Sequence, residues 1–550
     1  MKIKHKLENN KMKNYKILAV SMFFGTLVNA QTLESAIKKT DNEMFDAART
    51  EFKALVAKEP TKADNYFYFG ENYFNSDDLD SANIMWKQGL TIDAVNPLNL
   101  VGTGKYLWFK GDTTEGKKLF VQALTLTKNK NAEVMRQIGS VYTNAPIKAL
   151  NQAVAILTTA IKLDAKNIEG HLLLGDALLE LTPTNGTEAM KSYNNALDLS
   201  KQAKIVVRKA KVYQRAQNYQ LANDLYIEAQ DLDPTYAPAY RENAELNMKF
   251  NQTSKAVENW LFYLELNNND YSRYRYATSL FSGKKYCESV TQFETIHANG
   301  FENFYSQRLL GYSIYECNAK DPKADTANYR KGMNAMNRFF QIVPEDKVIA
   351  MDYKYKGLLL SKLGSDSSAI LELNRAIEKD SVNGTELYGE LSKLYMKSKK
   401  YDLVIASLNK KLGSDSTKLT VTEYNDLGRA YYFGAKNYVL ADAAYAQVAK
   451  LSPTFAMASL WRARANVQLD LKKVTWGARP YYEKFIELVP EAERAGAYKN
   501  FMMEAGKYMG DYYVNSPAKD IEKAKEAWNI VRTLDPADAQ AKTFFATVGK

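Results

Sequence analysis

Beyond its first thirty residues the chain keeps two histidines, His171 and His297, and two cysteines, Cys287 and Cys317. Imidazole and thiol chemistry therefore have few places to occur. Hydrolysis needs a nucleophile, a base and an orienting group that converge, and no such set is legible around either histidine. The H-E-x-x-H and paired C-x-x-C spacings of zinc sites are absent. Gly102-Thr103-Gly104-Lys105 has the flavour of a phosphate loop but lacks the G-x-x-x-x-G-K-[ST] frame and a preceding strand. The hexapeptide KLGSDS stands at Lys362 to Ser367 and again at Lys411 to Ser416, and its Gly, Ser and Asp would suit a phosphate or a metal if the copies were a duplicated active site. No catalytic residue, cofactor or metal ligand is assigned, and a hydrolase with a hidden site is the residual enzymatic reading.

The elements that would hold such residues have to be found first. At 550 residues the chain exceeds what one hydrophobic core supports, so several domains or a repeat array is expected. Lys13 and Lys16 precede an apolar run from Ile17 to Val28 that ends in Val28-Asn29-Ala30. This pattern predicts a signal peptide over residues 1–30, with Met12 as an alternative start and cleavage after Ala30. No later apolar stretch is long enough to span a bilayer, so an exported, periplasmic protein without an integral membrane segment is expected. The formal charge of +11 falls to +6 once the +5 of residues 1–30, six Lys against one Glu, is removed. That is mild for the remaining length and argues against a nucleic-acid partner.

A degenerate frame organises the rest. Small residue, x3, aromatic, x2, small or apolar, x4, Pro recurs at Ala48/Phe52/Leu55/Pro60, Ala222/Tyr226/Ala229/Pro234, Ala441/Tyr445/Val448/Pro453, Ala478/Tyr482/Phe485/Pro490 and Ala524/Trp528/Val531/Pro536. A companion frame precedes it, as in Tyr66/Phe69/Gly70/Tyr73 and Tyr424/Leu427/Gly428/Tyr431. Together these resemble the tetratricopeptide repeat family. Fourteen second helices are predicted, with the small residue at Ala48, Ala82, Gly116, Ala153, Ala189, Ala222, Ala256, Ser289, Gly332, Ala369, Val404, Ala441, Ala478 and Ala524. Their mean spacing is about 37 residues against the family's 34. Much of the surplus falls at 318–330, a candidate sub-boundary within the array of residues 31–550, and before Ala524.

The resemblance implies an all-α, right-handed superhelical solenoid whose first helices line a concave groove, closed by a polar capping helix from Ala539 onward. It further implies that partners lie against first-helix positions in that groove. Where the register is clear, those positions and their neighbours supply Lys204, Arg208, Lys211, Arg241, Tyr271, Tyr274 and Arg275, a basic and aromatic stretch of the kind enriched at hot spots. The same side chains would also serve as solvated or inter-repeat packing groups. The ordered carboxylate clamp that some family members use for acidic chain ends is not matched. In this register Cys287 opens the second helix of repeat eight and Cys317 closes the first helix of repeat nine, so a disulfide is one reading and two small buried thiols the other.

The functional expectation is a non-enzymatic binding scaffold in the envelope of a Gram-negative-like bacterium, holding protein partners in secretion, outer-membrane assembly or a surface complex. The alternative is a glycan-binding or enzyme-accessory protein, because Tyr and Trp platforms also stack on sugars. The two KLGSDS copies fall at non-equivalent places, one inside a repeat and one between repeats. They read as turn punctuation, with Gly364 and Gly413 as helix C-caps and Ser365/Asp366 and Ser414/Asp415 satisfying the next segment's backbone.

Overall fold

The computed structural model describes residues 32–182, 186–321, 323–414 and 419–547, which form helices and, among the described residues, no strand. The expected leader, its alternative start at Met12 and its cleavage after Ala30 lie outside the described residues. Contacts divide the chain into two units, the first ending at Phe301 and the second beginning at Glu302. The first holds eight successive helix pairs, from Leu33–Asp41 with Phe45–Lys58 to Asp270–Ser282 with Tyr286–Ala298. The second holds six, from Phe304–Asn318 with Thr326–Ile342 to Lys499–Asn515 with Ile521–Leu534, followed by Ala539–Thr547. The chain is thus a helical-repeat solenoid in each unit.

Local chemistry sets the helix ends. Asp78, Asn96, Asp112, Asn131, Asn167 and Asn218 each sit at an N-cap and accept a hydrogen bond from a backbone N–H of the first turn. Pro60, Pro234, Pro453, Pro490 and Pro536 each stand two residues past the end of a second helix, where a missing N–H costs nothing and the helix cannot continue. Between paired helices the chain turns through one left-handed residue, as at Asp77, Gly111, Gln217, Asn251, Gly364 and Lys399.

The paired helices approach closely because a hole in one takes a knob from the other. A Cβ added to Gly70 would lie 2.2 Å from Nε1 of Trp86, one on Gly104 2.6 Å from Phe120, and one on Gly175 2.3 Å from Tyr193. In the second unit the same relation joins Gly311 to Met336, Gly357 to Leu373, Gly428 to Tyr445 and Gly510 to Trp528. Where the hole is alanine, as at Ala210, Ala244 and Ala277, it is fully buried. All fourteen predicted small residues are buried; thirteen lie inside a helix and Ala478 is the N-cap of Arg479–Leu488. The phosphate-loop flavour of Gly102 to Lys105 dissolves into this packing: the segment lies in the helix Pro97–Phe109, and Lys105, only 2% exposed, donates to both carboxylate oxygens of Glu71 at 2.7 Å.

The extra length of the longer repeats goes into longer helices and into the connections between them. Thr326–Ile342 and Lys499–Asn515 each have 17 residues, and a short helical turn, Glu491–Arg494, precedes the latter. In KLGSDS, Gly364 is left-handed (φ +76°) and ends a helix as expected. Gly413 also ends a helix as expected, capping Tyr401–Leu412 with a right-handed backbone (φ −75°). Ser365 occupies an N-cap but makes no side-chain capping bond; its carbonyl accepts from Ala369 instead, and Asp366 pairs with Lys397. Residues 415–418 of the second copy lie outside the described residues. At the C-terminal end the helix Ala539–Thr547 lays Phe544 on Trp528, ring centroids 5.8 Å apart.

The hole at Gly70 gives a direct expectation. Gly70→Ala places a methyl inside the van der Waals radius of the Trp86 indole, whose Nε1 donates to the Phe67 carbonyl at 3.2 Å. It destabilises the first unit by about 2 kcal/mol despite the better helix propensity of alanine, read as a lowered denaturation midpoint. Gly496→Ala, at an exposed position where an added Cβ meets only the Glu493 carbonyl at 3.6 Å, leaves the midpoint unchanged.

Candidate functional site

The basic stretch expected to face a partner comes from the first helices Ala203–Arg215, Ala237–Lys249 and Asp270–Ser282 of three successive repeats. Lys204, Arg208, Lys211 and Arg275 are each met by a carboxylate of an adjacent first helix. Lys204 reaches Glu169 at 3.1 Å, and Arg208 Nε reaches both oxygens of Asp176 at 3.0 and 3.2 Å. Lys211 pairs with Glu242 at 2.8 Å, and Arg275 with Glu245 at 3.1 Å. Arg275 also lies over the Trp260 ring, 4.5 Å from its centroid, and donates to the hydroxyl of Tyr271, which is half exposed. Tyr274 stacks obliquely on Phe301 at 5.8 Å. The stretch is a ladder of ion pairs linking neighbouring repeats rather than an open positive patch.

A second layer of acid comes from far away in the sequence. The turn Asp41-Asn42-Glu43 of the first repeat reaches the groove of repeats six and seven. Arg241 donates through Nε and Nη2 to the two oxygens of Glu43 at 3.0 and 2.9 Å, a fork-shaped pair. The Tyr263 hydroxyl donates to the same carboxylate at 2.9 Å. Asn42 Nδ2 donates to the Thr235 carbonyl at 3.1 Å, and Lys204 Nζ lies 3.4 Å from Asp41. The first unit therefore completes a turn of its superhelix and returns on itself, with Tyr236 buried beneath the contact.

The electrostatics follow from this crowding. Burial pushes the Asp41 carboxyl up, outweighing Lys204, and the nearby Glu169 adds to the rise. Burial pushes Glu169 up as well, but Lys204 and Arg208 together hold it below the ordinary value. Glu242 behaves alike: burial is overcome by Lys211 and Arg241. The Arg241 guanidinium, though desolvated, is held more firmly protonated by Glu43 and Glu242.

A different kind of surface occurs in the second unit. After Val421–Arg429 the helix widens into a π-helical segment, Ala430–Ala435, and ends at left-handed Lys436. Such widenings recur at functional sites. This one turns Tyr432 and Phe433 toward Trp461, with ring centroids 5.4 and 5.5 Å away in edge-to-face arrangement. The cleft they border, completed by Arg464, Gln468 and Tyr482, has a volume of about 320 Å³. Phe433 is 47% exposed. Trp461 is not a bare platform: Tyr445 stacks on it at 5.9 Å and the Arg464 guanidinium lies 4.6 Å from its centroid. Arg464 is in turn fork-paired with Glu504, which also accepts from the Tyr482 hydroxyl at 2.8 Å. The repeat frame marks Tyr445 and Tyr482 as packing aromatics and singles out none of the others; the run Tyr431-Tyr432-Phe433-Gly434 is the available signal.

The remaining candidates fall elsewhere. His171 is buried in Ile168–Leu181 with Nε2 3.0 Å from the Ala165 carbonyl, a packing contact. His297 lies in the last turn of Tyr286–Ala298. Cys287 lies near the start of that helix and Cys317 near the end of Phe304–Asn318; neither is a free thiol. Among the described residues no cluster of three or more His, Cys, Asp or Glu is arranged to hold a metal, and no helix is long and apolar enough to cross a membrane.

Fold and groove together define a helix-turn-helix repeat solenoid of the tetratricopeptide kind. No family model matches the chain. It is similar to the C-terminal part of a tetratricopeptide repeat-containing protein from Cytophaga hutchinsonii, 30% identical over 49% of this chain and 98% of that one, with a TM-score of 0.39. It is also similar to a protective antigen with an SLR fold from uropathogenic Escherichia coli, 14% identical over 80% of this chain and 96% of that one, with a TM-score of 0.42. Among curated proteins it is 30% identical over 168 residues to the human protein O-mannosyl-transferase TMTC3, covering 28% of this chain and 18% of that protein. The chain thus spans about a fifth of that relative's length.

The ion-pair ladder predicts an acid-side loss of stability. Because the Glu242 carboxyl is held below its ordinary value of 4.5, its contribution is full above that value and is lost as pH falls through the lowered one. Glu242→Gln lowers stability at neutral pH by about 2 kcal/mol. It also flattens the fall in denaturation midpoint between about pH 5.5 and pH 3 relative to the native chain.

Proposed function

We propose that the chain is a non-enzymatic, exported scaffold of the bacterial cell envelope that presents its concave first-helix groove to protein partners in secretion, outer-membrane assembly or a surface complex. The observation that carries this reading is the groove itself. Three successive repeats converge Lys204, Arg208, Lys211, Arg241, Tyr271 and Arg275 on one surface of the first unit, held in place by carboxylates behind and beside them. A rigid repeat array loses little entropy on binding, so side chains already fixed by ion pairs are available for recognition. Affinity purification of the tagged chain from envelope fractions is expected to retain protein partners in stoichiometric amounts. Lys204→Glu, Lys211→Glu and Arg241→Glu together remove them; unchanged retention contradicts this use of the groove.

The aromatic cleft favours one second reading, a glycan-binding or enzyme-accessory role, because Phe433 offers an exposed ring beside the Gln468 amide. Retention of envelope glycan that is lost in Phe433→Ala and kept in the groove variants would support it.

For export, we propose that Cys287 and Cys317 bond to each other in an oxidising compartment. Denatured, unreduced protein then shows no titratable thiol; two titratable thiols contradict the bond.

A further inference from the structure

The turn Asp41-Asn42-Glu43 has the attributes of a ligand rather than of a repeat joint. Its Glu43 carboxylate is received by three donors, Nε and Nη2 of Arg241 and the Tyr263 hydroxyl, which come from the two helices of one repeat. Its Asn42 amide is read by a main-chain carbonyl and the hydroxyl of Thr235. Its Asp41 faces Lys204. Comparable turns between paired helices, at Asp77, Gln217 and Asn251, share the left-handed backbone of Glu43. Glu43, however, reaches across 198 residues of sequence to its partner.

The element that delivers the turn is lightly held. Leu33–Asp41 has nine residues and buries only Ala36 and Thr40. An element with so few buried side chains opens at low free-energy cost. The contact is also reached by water, since the Arg241 and Glu43 side chains remain 25% and 20% exposed. A partly solvated ion pair of this kind contributes about 1 kcal/mol and is exchangeable.

We propose that Lys204, Thr235, Arg241 and Tyr263 form a recognition site for an acidic Asp-x-Glu turn of a partner protein, kept shut in the free chain by its own Asp41-Asn42-Glu43. Partner entry then displaces the first helix pair from the groove, and no bond is made or broken beyond hydrogen bonds and ion pairs. This deepens the scaffold reading and rests on it. The partner chemistry is fixed by the site: two carboxylates one residue apart, one aimed at a guanidinium fork and one at an ammonium, with an amide between them. The apparent affinity of the free chain is reduced by the fraction of molecules in which the site is open.

The test uses the full mature chain and a fluorescent synthetic peptide of this chain's residues 37–48. Asp41→Asn with Glu43→Gln empties the site, and this variant is expected to bind the peptide about tenfold more tightly than the native chain. Adding Arg241→Ala removes the binding, and a peptide carrying the same Asp→Asn and Glu→Gln changes does not bind. Equal affinity for the native and emptied chains overturns the proposal, as does equal binding of the control peptide. If the emptied chain loses its helical circular dichroism, the turn is a structural staple and the proposal also fails. Failure here with native partner retention still sensitive to the groove charges would leave the scaffold reading intact. Insensitivity of partner retention together with tight peptide binding would do the reverse.

Discussion

Everything in this protein depends on how closely two antiparallel helices can approach. A helix pair buries too little apolar surface to stand alone, and stacking works only if each pair is thin enough for its neighbours to close over it. The chain meets that requirement with a hole at one position of the first helix and a large knob on the second: Gly70 under Trp86, Gly104 under Phe120, Gly175 under Tyr193, Gly428 under Tyr445. The knob rings are almost wholly removed from water. Each contributes on the order of 2–3 kcal/mol of transfer free energy, and a methyl in the hole forfeits much of it. Turns, caps and prolines fix where the helices begin and end, but the holes fix how far apart they lie.

That spacing brings the first helices side by side, and the side-by-side arrangement decides the electrostatics of the groove. A cation on one first helix meets a carboxylate on the next: Lys105 with Glu71, Arg208 with Asp176, Lys211 with Glu242, Arg275 with Glu245. Such pairs are held by the fold more than they hold it. Buried examples such as Lys105 with Glu71 cost desolvation that roughly offsets their attraction. Their effect is to fix direction. Arg208 and Arg241 are aimed by their carboxylates, whereas the half-exposed Tyr271 receives a hydrogen bond from Arg275.

The repeats were legible in the sequence because each is local. Small residue, aromatic and proline lie within about thirteen positions of one another, and all fourteen small residues are buried where the frame puts them. Pairing along the groove was readable in principle as opposite charges about one repeat apart, such as Glu169 and Lys204 or Asp176 and Arg208, yet reading the cations alone suggested an open basic patch. The contact of Glu43 with Arg241 was not readable, because it depends on the accumulated rotation of six repeats, a quantity no single repeat encodes. Both KLGSDS glycines end helices as the punctuation reading expects, with a positive φ at Gly364 and not at Gly413, since a glycine permits a positive φ without requiring it. The aromatic cleft escaped because a π-helical widening shifts register by one residue, and periodicity arguments assume none.

The central claim is that the first unit closes on its own groove through Glu43 and Arg241. A double-mutant cycle over Glu43→Gln and Arg241→Gln, read by denaturant unfolding of the full chain, tests it most directly. The account predicts a coupling of about 1 kcal/mol or more between two residues far apart in sequence. Additivity within about 0.3 kcal/mol would contradict it.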